Sequence, residues 1–163
     1  DVVSEKLFEA TVYPVCAPSL IDPKKPIRKP EDLKAYPLLH EETMQHWLNW
    51  LEQAGVKHPR WAAKGPLFIE ASLALQAAAS GQGVALANDT LAMADLAEGR
   101  LVRLFDIEMP DEEGYWLVYP EGPRKPKVDA FRNWIREEAG LGPPEDPNPP
   151  EMLTPRGRGK AVR

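Results

Sequence analysis

The sequence predicts an α/β fold, because short apolar runs alternate along the chain with helical segments. The clearest example is Gly65–Asn88, in which one apolar run covers Leu67–Ile69 and a second covers Val84–Ala87. Both runs are of the kind that a buried strand shows, and Leu73–Ala79 between them is rich in helix formers. A strand, a short helix and a strand in one compact unit predict a parallel pair with a right-handed crossover.

The chain before this central unit predicts two strands and two helical pieces. Leu7–Cys16 alternates and is rich in β-formers, so we expect a long strand that bends near its proline. Pro30–Leu33 predicts a single helical turn, and Tyr36–His40 predicts a short strand. Thr43 is expected to cap a helix that ends at Gly55. The apolar residues of that helix follow the i, i+3, i+4, i+7 spacing of a buried face: Met44, Trp47, Leu48 and Leu51.

In the second half of the chain, capping residues predict where helices begin and glycines predict where they end. Ser72 is expected to be the N-cap of the central helix, and Gly81 or Gly83 stands where a glycine ends a helix. Asp89 is expected to cap a further helix, and the last helix is expected to begin at Pro126. Between these two helices the sequence predicts two strands around an acidic loop: Leu101–Phe105, Asp106–Gly114 and Tyr115–Tyr119.

Length and composition bound the class of protein. The 163 residues suffice for one domain or for two small lobes, and a charged fraction of 28% is typical of a soluble protein. The net charge is −5, so the composition gives no indication of the excess positive charge that binds nucleic acid. No apolar run approaches the roughly 20 residues of a membrane span. The single cysteine, Cys16, excludes a disulfide framework and favours a reducing compartment, so we expect a cytoplasmic protein without membrane partners.

The end of the sequence differs in composition from the rest. Six of the 18 prolines fall in residues 140–163, which contain almost no apolar side chains. Such a segment buries too little surface to offset its conformational entropy, so we predict a disordered Pro/Gly-rich tail.

No motif in the sequence predicts catalysis, a metal or a cofactor. The segment HEETMQH resembles a zinc protease signature, but His40 and His46 are six residues apart, which does not place them one helical turn apart. Gly81-Gln82-Gly83 follows a helix and therefore cannot be a dinucleotide-binding turn. Cys16 is better explained as a buried free cysteine than as a nucleophile.

The best candidate for a ligand site lies at the carboxyl end of the first central strand. Ligands of open α/β sheets bind beyond strand carboxyl ends, where helix N-termini present free N–H groups. Ser72 suits a carboxylate there and Glu70 suits an amine, so a zwitterion or a modified peptide fits better than a bare dicarboxylate. A purely structural role is an equal alternative for both residues, and Tyr115 is either core or pocket wall. The candidate binding residues are Phe68, Glu70, Ser72, Asn88 and Tyr115.

Several segments together resemble one family from about Val3 to Glu138. They are YPVCAPSL, PEDLKAYPLLHEE with the W-x-x-W helix behind it, LALQAAASGQGVALA, DLAEGRLVRLF and YWLVYPEG with VDAFRNWI. This set resembles the effector-binding domain of LysR-type transcriptional regulators, in the branch of the glycine-cleavage activators and β-lactamase regulators.

The resemblance implies a two-lobed fold of the periplasmic-binding-protein-like (type 2) class, with one lobe incomplete. Residues 1–11 would hold the end of the first lobe and a crossover strand, 12–100 the second lobe, and 101–139 the second crossover and the return to the first lobe. The family's winged helix-turn-helix, its linker helix and the opening of its first lobe are absent from this sequence.

The resemblance also implies a function without catalysis. A small polar metabolite would be the effector, the full-length protein would be a homo-oligomer (a dimer or a tetramer), and DNA would be bound only through the missing N-terminal domain. The alternatives are a solute-binding protein of the same fold that serves transport and, less favoured, an enzyme.

Overall fold

The computed structural model is described over residues 1–142, with the side chains of Glu112 and Glu113 left out. The predicted disordered tail therefore lies, from residue 143 onward, outside the described residues. The helices and strands of the described part follow one another in this order: β1 (Val2–Cys16), β2 (Leu38–Glu41), α1 (Gln45–Gln53), β3 (Leu67–Phe68), α2 (Ala71–Ala79), β4 (Val84–Asn88), α3 (Asp89–Ala97), β5 (Val102–Arg103), β6 (Met109–Pro120) and α4 (Pro126–Glu138). Short 3₁₀ turns lie at Pro18–Leu20, Pro30–Ala35 and Arg60–Ala62.

The strands form one mixed sheet in the order β3-β2-β4-β1-β5, with β6 also paired to β1. β2 runs parallel to both β3 and β4, whereas β1 runs antiparallel to β4 and β5. The strands of the central unit are therefore parallel, as predicted, but they are not neighbours. The local pattern could not reveal that β2, from earlier in the chain, lies between them.

Two hydrophobic clusters cover the two faces of the sheet, because successive strand side chains point to opposite faces. On β4, Ala85 and Ala87 belong to the cluster that contains Leu75 and Ala78 of α2. Val84 and Leu86 of the same strand belong instead to the cluster that contains the tryptophans of α1, Trp47 and Trp50. The sheet is thus packed between α2 on one face and α1 on the other.

A strand forms within the predicted segment Leu67–Ile69, but the prediction that this strand is buried is wrong. β3 is an edge strand of two residues, and the side chains of Leu67 and Ile69 are 53% and 85% exposed. Only Phe68 packs against the α2 cluster. An edge strand has a paired strand on one side alone, so an apolar run in the sequence does not ensure burial.

Three predicted helix starts are displaced by one or two residues. The N-cap of α2 is Glu70 rather than Ser72, and the N-cap of α3 is Asn88 rather than Asp89. Asn88 accepts a hydrogen bond from the Leu91 N–H at 2.9 Å, so an asparagine ahead of the aspartate takes the capping role. The N-cap of α1 is Met44 rather than Thr43, although the Thr43 hydroxyl still accepts a hydrogen bond from the Gln45 N–H at 3.2 Å.

The acidic loop predicted at Asp106–Gly114 is largely strand. β6 begins at Met109, because pairing with β1 imposes extended backbone on a segment whose acidic composition disfavours strand locally.

The chain divides into two compact units. The larger unit is Ser4–Trp116, and it contains β2 to β5, α1 to α3 and most of β1 and β6. The smaller unit combines Asp1–Val3 with the described residues 117–142, which include the end of β6 and α4. Within the smaller unit, the guanidinium groups of Arg124 and Arg132 each lie 5.3 Å from the ring centroid of Tyr119. The predicted lobe boundaries at residues 11 and 100 stay a prediction.

Candidate functional site

The carboxyl ends of three parallel strands lie level at one edge of the sheet. In the strand register Glu41 of β2 is opposite Phe68 of β3, and Leu39 of β2 is opposite Ala85 of β4. Two residues further along, Ala87 is therefore level with Glu41, and Asn88 is the last residue of β4. At about 4.8 Å between neighbouring strands, the ends of β3 and β4 lie about 10 Å apart with the end of β2 between them.

The N-terminus of α2 lies at this edge and carries no side-chain cap. Glu70 is the N-cap, and its carbonyl oxygen accepts hydrogen bonds from the N–H groups of Leu73 at 3.1 Å and Ala74 at 3.4 Å. The first N–H groups of a helix have no acceptor within the helix, and in α2 these belong to Ala71 and Ser72. Glu70 and Ser72 are both exposed. This arrangement presents two N–H groups, a hydroxyl and a carboxylate together.

The N-terminus of α3, by contrast, has a side-chain cap from the chain itself. Asn88 caps it, and the Tyr13 hydroxyl donates a hydrogen bond to the Asp89 carboxylate at 2.5 Å. Burial and this negatively charged partner raise the pKa of Tyr13 well above its usual range. The Arg103 guanidinium covers the Tyr13 ring at 4.1 Å from its centroid. Asn88 therefore has a structural role beside the predicted site, which leaves its amide N–H₂ as the part that is suited to a ligand.

Tyr115 lies further from the other candidate residues. Its ring stacks on that of Phe8, with 4.6 Å between the centroids. Phe8 precedes Val12 by four residues on β1, and Val12 is the register partner of Asn88. At about 3.3 Å per strand residue, Tyr115 contacts β1 about 13 Å beyond the partner of Asn88. Phe68, Glu70, Ser72 and Asn88 are thus gathered at one edge, and Tyr115 stands apart from them.

The sequence analysis missed the residues that follow β2. Glu41, Glu42 and Thr43 occupy the gap between the ends of β3 and β4, and the Glu42 N–H donates a hydrogen bond to the Phe68 carbonyl at 2.9 Å. The available signal was a polar run directly after a short apolar strand.

His40 on β2, rejected above as a zinc ligand, is a buried polar residue. Its side chain is 1% exposed, its Nε2 lies 3.1 Å from the Lys64 carbonyl oxygen, and its Nδ1 has no hydrogen-bond partner among the described residues. A carbonyl oxygen only accepts, so Nε2 carries the proton and Nδ1 is an acceptor. Protonation of Nδ1 would bury a charge, and this desolvation lowers the pKa of His40.

We expect the stability of the fold to fall in mild acid because of His40. The folded pKa is lowered, so below the unfolded value of about 6.5 the unfolded chain binds more protons than the folded chain. Stability is therefore retained above about pH 6.5 and lost as the pH falls below it, by up to about 1.4 kcal/mol per pH unit for one proton. Urea unfolding at several pH values measures this slope.

The variant for this experiment is His40→Gln, which removes the buried imidazole. His40→Gln should lose the contribution of His40 to the slope whatever its absolute stability. An unchanged slope in His40→Gln would show that His40 does not titrate in this way.

Comparison with known proteins identifies the family. Residues 1–140 match the family model of the LysR substrate binding domain. The chain belongs to this family. The predictions of a type 2 periplasmic-binding-protein-like α/β fold and of a LysR effector-binding domain are confirmed, and the matches favour this assignment over a solute-binding protein in transport.

Relatives with known names are regulators of transcription, not enzymes. The chain is 38% identical over 136 residues to the glycine cleavage system transcriptional activator of Escherichia coli strain K12, a match that covers 83% of this chain and 44% of that protein. It is 35% identical over 133 residues to the transcriptional activator AmpR of Citrobacter koseri, covering 81% and 44%. This LysR-family chain thus spans less than half the length of the curated relatives it matches.

A solved structure agrees with this assignment. The effector domain of the transcriptional regulator AmpR of Pseudomonas aeruginosa superposes with a TM-score of 0.74 at 28% identity, over 85% of this chain and 66% of that chain. No helix in the described part of the LysR-family chain has the length and hydropathy of a membrane span. Within residues 1–142, no three His, Cys, Asp or Glu side chains are grouped as a metal site.

Proposed function

We propose that this domain holds a small polar effector at the carboxyl edge of β3, β2 and β4, and that the effector carries both a carboxylate and an amine. The observation that supports this most is the N-terminus of α2, where two N–H groups and the Ser72 hydroxyl adjoin the Glu70 carboxylate. A carboxylate at a helix N-terminus is stabilised by about 0.3–1 kcal/mol at exposed sites through the helix dipole. Asn88 and Phe68 adjoin the same edge.

The proposed role in the full-length protein is control of transcription. An effector bound at this edge would favour one arrangement of the domain over another and so change how separate DNA-binding domains are placed. We propose a homo-oligomer, a dimer or a tetramer, that contacts DNA only outside this chain, whose net charge is −5. We further propose a cytoplasmic location, to which the buried free thiol of Cys16 is suited.

A reporter assay with Ser72→Ala and Tyr115→Phe in the full-length regulator tests the proposal. The panel of added compounds begins with glycine, because one relative activates the glycine cleavage system, and continues with larger amino acids and short peptides. Ser72→Ala should weaken the response to the active compound, and Tyr115→Phe should weaken it when that compound is long enough to reach from the N-terminus of α2 to the Tyr115 hydroxyl. Thermal stability should change by no more than about 1 kcal/mol in either variant. The reason is that each change removes one hydroxyl at a position that is not fully buried.

Two variants of the same chemistry serve as controls. Ser80→Ala removes a hydroxyl that donates to the Gln76 carbonyl at the other end of α2, and Tyr36→Phe removes one that donates to the Lys25 carbonyl. These controls should respond as the wild type does. If Ser72→Ala and Tyr115→Phe are folded and also respond normally, the effector lies elsewhere.

A further inference from the structure

A buried histidine holds an exposed segment of the chain against the sheet. His40 is 1% exposed, whereas residues 64–66, which pack against it, are all exposed. Its ring Nε2 bonds to the Lys64 carbonyl oxygen at 3.1 Å, and its backbone N–H donates to the Pro66 carbonyl oxygen at 2.9 Å. A Cβ at Gly65 would lie 3.1 Å from the Cδ2 atom of the ring. His40 therefore binds this segment on both sides of Gly65.

The same segment leads directly to the N-terminus of α2. Residues 64–66 continue into β3, an edge strand of two residues that pairs with β2. Glu42, two residues after His40, donates its N–H to the Phe68 carbonyl oxygen at 2.9 Å. Phe68 in turn precedes Glu70, the N-cap of α2, by two residues. The position of this helix N-terminus therefore depends on how firmly β3 is held against β2.

The buried imidazole has no acceptor for a second proton. Its Nδ1 is without a hydrogen-bond partner in the part of the chain that the structure describes. Protonation would turn Nδ1 into a donor and would place a positive charge in a site that excludes solvent. Burial lowers the pKa of His40, and the hydrogen bond to the Lys64 carbonyl raises it by less. The charged imidazole is therefore stable only when the ring reaches water.

The charged groups around His40 do not remove this cost. β2 packs against β3, β4, α1 and α2, and of these β3, β4 and α2 contain no titratable side chain within their bounds. The titratable side chains that adjoin these elements all reach solvent: Glu41 and Glu42 at the end of β2, Lys64 before β3, His46 and Glu52 on α1, and Glu70 before α2. Burial and the Lys64 carbonyl, rather than these side chains, set the direction in which the pKa of His40 shifts.

We propose that His40 is a positioning residue for the effector site, and that its protonation in mild acid releases residues 64–66, β3 and the N-terminus of α2 from β2. This role of His40 rests on the effector site proposed at the same helix N-terminus. At neutral pH the imidazole donates to the Lys64 carbonyl and keeps Glu70 and Ser72 in place. In mild acid the segment lifts away, water hydrates the imidazolium, and effector affinity falls with the fraction of molecules that stay closed.

Hydrogen exchange of the full chain, followed by NMR, tests this release without any effector, so its failure is distinct from a failure of the effector site. The two reporter amides are those of His40 and Glu42, which bond to the carbonyl oxygens of Pro66 and Phe68. Their protection, relative to an unstructured peptide at the same pH, should fall by up to about tenfold per pH unit below about pH 6.5, because opening takes up one proton.

Local release differs measurably from unfolding of the whole domain. The Val84 amide bonds to the Pro37 carbonyl at 2.9 Å on the β4 side of β2, so it should exchange more slowly than the reporter amides. Low urea concentrations should speed the exchange of Val84 but not that of the reporter amides, because a local opening exposes little surface. The α2 amides of Leu73 and Ala74, which bond to the carbonyl of the N-cap, should follow the reporter amides.

Two substitutions separate titration from packing. His40→Gln keeps a donor for the Lys64 carbonyl but takes up no proton, so the reporter amides should lose their pH dependence whatever their absolute protection. His46→Gln removes an imidazole on α1 and should keep the pH dependence of the wild type. The proposal is overturned if the wild type shows no pH dependence, if that dependence survives in His40→Gln, if the reporter amides exchange only together with Val84, or if the α2 amides stay protected when the reporter amides do not.

Discussion

Replacing Trp50 by alanine should lower the free energy of unfolding by about 3–5 kcal/mol, the range for large aromatic side chains removed from a core. Trp50 is fully buried, and its ring lies 5.7 Å from that of Phe105 and 6.0 Å from that of Trp47. Its indole N–H donates a hydrogen bond to the Ile107 carbonyl at 3.2 Å. The variant therefore loses packing on the α1 face of the sheet and also leaves a carbonyl without its donor.

Trp134→Ala is the matched control for Trp50→Ala. Trp134 lies on α4 and is 52% exposed, so its removal leaves no closed cavity and should lower stability far less. Chemical denaturation of the two variants side by side gives the comparison. Equal losses in the two variants would contradict a core centred on α1.

Replacing Gly65 by alanine should lower stability by about 3 kcal/mol or more. Gly65 has a φ of +145°, a conformation that L residues with a side chain rarely adopt. A Cβ at this position would collide with the Leu38 carbonyl oxygen and would lie 3.1 Å from the Cδ2 atom of His40. Conformational strain of about 1–2 kcal/mol therefore adds to an overpacking cost of about 1–3 kcal/mol.

Gly55→Ala separates these two contributions. Gly55 also has a positive φ, +84°, but a Cβ there would meet nothing within 4 Å. Thermal or urea unfolding should show a loss of about 1 kcal/mol for Gly55→Ala, from backbone strain alone. If Gly65→Ala is no less stable than Gly55→Ala, the segment around Gly65 does not pack against β2 as described.

Helix positions could be predicted from the sequence because their signals are local. The apolar spacing of Trp47, Leu48 and Leu51 predicted α1, and Pro126 marks the first residue of α4. Gly81 follows α2 with a positive φ of 77°, as its sequence position indicated. Such signals involve residues within one or two turns of each other, so a single sequence contains them.

Strand neighbours and burial could not be predicted in the same way, because they depend on distant segments. The position of β2 between β3 and β4 is decided by packing across more than 25 residues of chain, and so is the exposure of Ile69 at the edge. For the same reason Glu41–Thr43 were missed as neighbours of the predicted site. Ligand binding at Glu70 and Ser72 is predicted from a local signal, since both residues lie between a predicted strand and a predicted helix.

The most direct test of the proposed effector site is an NMR titration of the full chain with glycine, larger amino acids and short peptides. We expect saturable shifts of the Ala71 and Ser72 amide resonances, because these N–H groups lie at the start of α2 and would receive the ligand carboxylate. The Leu91 amide, which is already bonded to the Asn88 side chain, should change little. Saturable binding that leaves the Ala71 and Ser72 amides unmoved would contradict an effector site at the N-terminus of α2.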